Sequence, residues 1–176
     1  MLTLVGLSGT GKSTVARLLA ERWDWACADV DKRVESEAGR TITEIFASEG
    51  ESAFRALESE QLKAALSGHH TVIAAGGGAP CQSQAMDAIL AAGPCIWLSA
   101  SVEVIAARVI QSEERPLLES VDSSRIVAHL ADQLDQREEV YTRAPFSVST
   151  DDRDPVAVAD AIEALLQAQG EGPWAP

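Results

Sequence analysis

The chain is poor in positive charge: Lys and Arg together number 14 against 27 Asp and Glu, a formal net charge of −13 at pH 7. Lysine is the scarcer cation, present only as Lys12, Lys32 and Lys63. A surface this acidic repels nucleic acid and anionic membrane, and no local basic stripe offsets it, so neither is expected as a partner. Cysteine is sparse too. Cys27, Cys81 and Cys95 are widely separated, odd in number and without metal-ligand spacing, which argues against zinc or a disulfide framework and suits buried thiols in a reducing cytosol. His69 and His70 read as a solvated loop, and with His129 they form no ligand cluster. No apolar run approaches the length of a membrane span, and the first residues enter an apolar segment without the basic and apolar regions of a secretory signal. A cytoplasmic protein is expected. Internal repeats and low-complexity blocks are also lacking.

What is present is material for one core. With 176 residues, 46% of them hydrophobic, the chain can bury one sizeable core and is short for two domains. A single domain over residues 1–169 is expected, as a monomer. The closing "QGEGPWAP" has two glycines, two prolines and no periodicity, which predicts a flexible tail over 170–176.

Short apolar runs at Leu2–Val5, Trp25–Ala28, Thr71–Ala75, Cys95–Leu98 and Phe146–Ser149 read as strands. Between them lie stretches with helical spacing, clearest at Val102–Val109, Ile126–Leu134 and Val156–Leu166, the last with Pro155 suited to a first helical turn. Alternating strands and helices predict a three-layer α/β/α fold around a five-stranded parallel sheet. In such sheets ligands bind beyond the carboxyl ends of the strands, and three of those ends carry chemistry here.

After the first strand comes "GLSGTGKST", residues 6–14. Gly6, Gly11, Lys12 and Ser13 fit G-x-x-x-x-G-K-[ST], in which glycines turn consecutive N–H groups onto a polyphosphate and the lysine reaches its outer oxygens. A flexible surface turn is the bland alternative. The apolar strand before the loop and the helical spacing of Val15, Leu18, Leu19 and Trp23 after it favour phosphate, because the helix N-terminus adds partial positive charge.

After the second strand comes "ADVDKRVE". If strand geometry continues, Asp29 and Asp31 point the same way and suit a magnesium ion or a hydroxyl that must lose its proton; alternatively one of them caps the next helix. After the third comes "AAGGGAP", whose Gly76, Gly77 and Gly78 imply a close backbone approach, positive φ, or a plain loop. Arg55, Arg115 and Arg137 are each, taken singly, readable as solvated charges. The stretch "QSEERPLL" interrupts helical patterning and suggests a mobile lid over about 110–122.

Taken in order, "GLSGTGKST", "ADVDKRVE", "TITEIFASEGESAFRALESE", "AAGGGAP", "RPLL" and "QREEVYTRAP" resemble the shikimate kinases, nearly across the chain to about residue 166. The resemblance implies a P-loop kinase of the nucleoside monophosphate kinase type that moves the γ-phosphate of ATP, with Mg²⁺, to the 3-hydroxyl of shikimate. It implies nucleotide contacts from Gly9, Thr10, Gly11, Lys12, Ser13 and Thr14, with Lys12 on the β- and γ-phosphates. Ser13 would ligate Mg²⁺, and Asp29 would act on it through water. Asp31 would orient or deprotonate the acceptor hydroxyl, Arg55 and Arg137 would bracket the carboxylate, and Gly76, Gly77 and Gly78 would lie against the substrate. Arg115 would neutralise charge on the transferred phosphoryl group, while Arg108, Arg153 and Pro155 would border adenine. Glu113 and Glu114, directly before Arg115, are more acidic than the resemblance leads one to expect. A gluconate-type kinase would share the ATP half without reason to keep two arginines for a carboxylate. A non-catalytic nucleotide-binding regulator would have lost Lys12, Asp31 or an arginine, and all are present.

Overall fold

A computed structural model describes residues 1–111 and 123–170. Five strands, β1 (Leu2–Val5), β2 (Ala26–Asp29), β3 (Thr71–Ala74), β4 (Cys95–Ser99) and β5 (Phe146–Ser149), form one sheet in the order β2-β3-β1-β4-β5. Every pairing is parallel. Each strand lies within a residue or two of its sequence-expected position. The helices are α1 (Lys12–Trp23), α2 (Val30–Ala38), α3 (Ile42–Leu66), α4 (Ala85–Ala92), α5 (Val102–Gln111), α6 (Ser123–Tyr141) and α7 (Pro155–Ala168).

Period-two alternation assigns the two faces. Leu2, Leu4, Val72, Ala74, Ile96 and Leu98 pack against Val15 and Leu19 of α1 and Val158, Ile162 and Leu166 of α7. Val5, Ile73, Ala75 and Cys95 face the other way, onto Leu62 of α3, Ile89 of α4, Ile105 of α5 and Ile126 and Leu130 of α6. Each fully buried aliphatic side chain contributes about 1.5–3 kcal/mol, so helices on both faces are held by the sheet they cover. A smaller cluster of Val34, Ile45 and Phe54 joins α2 to the first half of α3.

From β1 the chain runs to one side for β2 and β3 and to the other for β4 and β5. The strand order therefore reverses at β1, and its following loop opens into the crevice where open α/β sheets bind ligands. A second device shapes the same end. Gly50, at φ 81° and ψ 178°, breaks α3, so the half carrying Arg55 takes its own direction.

The expected lid, including Ile110 and Gln111 at its start, reaches into residues 112–122, which lie outside the described residues. So does the tail from Glu171 onward.

Candidate active site

The first turn of the site is set by steric necessity. A side chain on Gly6, whose φ is 137°, would place its Cβ 2.4 Å from the Leu98 carbonyl oxygen of β4. Only glycine lets the loop leave β1 so close to its neighbour. Thr10 then closes the loop, its hydroxyl donating to the Leu7 carbonyl at 2.9 Å, and Gly11, left-handed at φ 91°, starts α1.

Lys12 follows, folded into the loop it ends: its ammonium donates to the carbonyls of Gly6 at 2.8 Å and Leu7 at 2.7 Å. Burial pulls its pKa down from 10.5 to about 8, against the attraction of Asp31 and Asp29 and with Arg137 repelling. Lysine, both aspartates and Arg137 thus share one electrostatic neighbourhood. Ser13 and Thr14 are exposed on the first turn of α1, and Gly9 is half-buried.

The two aspartates do not continue one strand. β2 ends at Asp29, and Asp31 already lies in the first turn of α2. Asp29 is the helix cap, accepting from the Lys32 N–H at 3.2 Å. Such a cap is typically worth about 1 kcal/mol. Asp31, freed of that task, is turned by the helix toward Gly76.

The glycine triplet is explained by crowding rather than by positive φ, since none of the three adopts it. A Cβ on Gly76 would lie 2.4 Å from Glu58 Oε1 and 2.5 Å from Asp31 Oδ1; one on Gly77 would lie 3.1 Å from the Ser8 nitrogen and 3.6 Å from Arg137 Nη1. On Gly78 it would meet Arg55 Nη1 at 2.4 Å. The turn after β3 is thus a bare strip of backbone against which Asp31, Glu58, Arg55, Arg137 and the phosphate loop converge.

Glu58 is the member that sequence reasoning missed. It is 1% exposed and paired with Arg55, whose Nη1 donates to its Oε2 at 2.7 Å. Burial pushes its carboxyl pKa up, against the pull of Arg55. Its sequence signal was its place, one turn after Phe54 and one before Leu62, on the apolar stripe of α3, where an unpaired glutamate would be costly. Arg55 also donates to exposed Glu51 and lies over the Phe54 ring, 5.1 Å from its centroid.

On the far side of β1, Arg108 of α5 donates to Thr150 Oγ1 at 2.9 Å and to the Thr150 carbonyl at 2.7 Å. The Asp151 carboxylate accepts from the Ser101 N–H at 3.0 Å, and Asp154 caps α7 by accepting from the Ala157 N–H at 2.8 Å. These contacts hold the loop after β5 against α5, with Arg153 and Pro155 exposed beside them. Arg115 lies outside the described residues. Among the described residues no group of three or more His, Cys, Asp or Glu could hold a metal alone.

Comparison with known proteins agrees in sequence and in shape. The family model described as "Shikimate kinase" matches residues 8–167. A shikimate kinase of Symbiobacterium thermophilum is 40% identical over 97% of this chain and 98% of its own. Among solved structures, shikimate kinase from Acinetobacter baumannii in complex with shikimate superposes with TM-score 0.86 at 32% identity, covering 96% of this chain and 93% of that one. Shikimate kinase from Bacteroides thetaiotaomicron gives TM-score 0.87 at 26% identity, over 94% and 97%. Matched by the family model over most of its length and 40% identical to a relative that it covers almost completely, the chain belongs to the shikimate kinase family.

Proposed function

We propose that this chain transfers the γ-phosphate of ATP to the 3-hydroxyl of shikimate, giving shikimate 3-phosphate and ADP. The observation that carries the reading is the convergence of Arg55 and Arg137 on Gly77 and Gly78, beside the phosphate loop at Ser8. Two guanidinium forks next to a polyphosphate cradle suit an acceptor that carries a carboxylate.

In this reading the acceptor oxygen forms a bond to the γ-phosphorus as the bond to the β-phosphate oxygen breaks, and the hydroxyl proton passes to the Asp31 carboxylate. The protein's task is positioning and charge stabilisation. Lys12 meets the β- and γ-phosphates alongside the N–H groups of Gly9 through Thr14. Arg55 and Arg137 hold the carboxylate, and Gly76, Gly77 and Gly78 give the ring a close backbone wall. Arg108, Arg153 and Pro155 border the adenine, and Arg115 is assigned to the charge on the transferring group. Mg²⁺ fits the donors available: the exposed Ser13 hydroxyl and, through water, Asp29 supply hard oxygens, and this ion typically takes one or two protein ligands and completes its shell with phosphates and water. Bound there, it would draw charge from the phosphate oxygens. The proposal takes the protein as a monomer without nucleic-acid or membrane partners, the −13 charge being what disfavours both kinds of anionic partner.

The test is ADP release from ATP with shikimate, with gluconate, and with neither. Release that depends on shikimate supports the reading; equal release with gluconate, or none above background, overturns it.

A further inference from the structure

Tyr141 is the only tyrosine in the chain, the last residue of α6, and fully buried. Its hydroxyl donates to the carbonyl of Gly77, and its ring packs beside Trp97 of β4, 6.1 Å between centroids. Burial holds the phenol protonated far above its usual range, so it remains a donor throughout the working pH range. Arg137 stands four residues earlier on α6, hence on the same helix face, and its guanidinium lies beside the same glycine, with Nη1 3.6 Å from where a Cβ would stand. One helix end therefore holds this residue of the strip by a neutral hydroxyl and sets a charged guanidinium beside it.

The consequence lies in the peptide plane. A trans peptide points the C=O of Gly77 and the N–H of Gly78 in opposite directions, and the described chain has no cis bond. Fixing the carbonyl fixes that N–H, in a strip with no side chain to do so. We propose that Tyr141 is a positioning residue for the acceptor carboxylate, holding the Gly77–Gly78 peptide at a set orientation and distance from Arg137. This rests on the shikimate kinase reading. The hydroxyl of Tyr141 bonds Gly77, not the phosphate loop, which that glycine meets at Ser8, so its loss should fall mainly on one substrate.

Tyr141→Phe keeps the ring and removes the hydroxyl. Expected is a rise of about tenfold in KM for shikimate, with KM for ATP within about twofold and kcat nearly unchanged; tenfold corresponds to about 1.4 kcal/mol. A merely structural role would lower Tm and leave the two KM values moving together, and that result, or no change in either, overturns the proposal. The wild-type assay separates the two claims: without shikimate-dependent turnover the reading and the proposal both fall, whereas an active wild type with an unaffected Tyr141→Phe sinks the proposal alone. A second measurement does not depend on the variant folding. Because Tyr141 is unique, growth on 3-fluorotyrosine labels a single site, and its ¹⁹F resonance should shift saturably on adding shikimate and respond little to ATP alone. A resonance indifferent to shikimate overturns the proposal.

Discussion

Gly78→Ala adds one methyl group to the strip, and the structure says what that group strikes. Its Cβ would lie 2.4, 2.8 and 2.9 Å from Nη1, Cζ and Nη2 of Arg55, so the whole guanidinium face is in the way. The struck atoms are the end of a flexible side chain; Arg55 swings out and the backbone stays. Gly78 has ordinary negative φ, −90°, so alanine adds no strain of its own. The cost then equals the loss of one arginine from a desolvated charged contact, about 2–5 kcal/mol, or at least about thirtyfold in shikimate affinity. Titration calorimetry should show that loss for shikimate, with ATP affinity within about twofold. The double variant with Arg55→Ala decides the mechanism: if Gly78→Ala acts by displacing Arg55, it costs nothing further where Arg55 is absent. Wild-type affinity in Gly78→Ala, or full additivity with Arg55→Ala, would refute the reasoning.

Lys12→Met should abolish turnover while leaving the fold intact. In the wild type, a pKa of about 8 predicts that kcat/KM for ATP declines as pH rises through 8. Unfolding free energy should instead rise from about pH 8 to 10.5, where the unfolded lysine still binds the proton that the folded one has released. Glu58→Gln keeps shape but removes the anion that aligns Arg55. Because burial raises its pKa, the ionised form costs stability above that pKa, so calorimetric stability at pH 7 should hold or increase while shikimate KM rises several-fold. Asp31→Asn should lower kcat about a hundredfold with normal Mg²⁺ dependence, whereas the Asp29→Asn defect should be partly relieved by added Mg²⁺, since such orienting contacts are worth about ten- to a hundredfold; rescue of Asp31→Asn by metal would reverse the two roles.

Much of this site was legible because its chemistry sits at strand ends, and strand ends are easy to find. The apolar runs at Leu2–Val5 and Thr71–Ala75 located the phosphate loop and the glycine strip, and the strands observed there match them to within a residue. The helix boundary after β2 was harder. "DVDK" is equally readable as two more strand residues or as a cap and first turn, and only the backbone decides that Asp29 caps and Asp31 turns inward. Glu58 escaped because a glutamate amid "RALESE" resembles a solvated face; what distinguishes it is its place on the buried stripe between Phe54 and Leu62. The reason for Gly76, Gly77 and Gly78 was open for a similar cause. Positive φ leaves a local signature, but close approach is defined by residues far along the chain, Ser8, Asp31 and Arg137 among them.

An acidic protein that binds two anionic substrates has to solve its electrostatics locally. Beyond about 8 Å at physiological ionic strength the −13 background is largely screened, so the cleft is governed by its own groups. There, among the described residues, Lys12, Arg55 and Arg137 are set against Asp29, Asp31 and Glu58. The near balance lets buried cations persist without a ligand: Arg55 already has a buried carboxylate in Glu58, 2.7 Å away, and Lys12 has two loop carbonyls. It also means that attraction by net charge selects little. In the proposed site, what would distinguish a carboxylate beside Gly77 and Gly78 from any other anion is the pair of guanidinium forks set against a strip too crowded for any side chain. On that proposal selection rests on geometry, and the residues that hold the geometry matter as much as those that carry the charge.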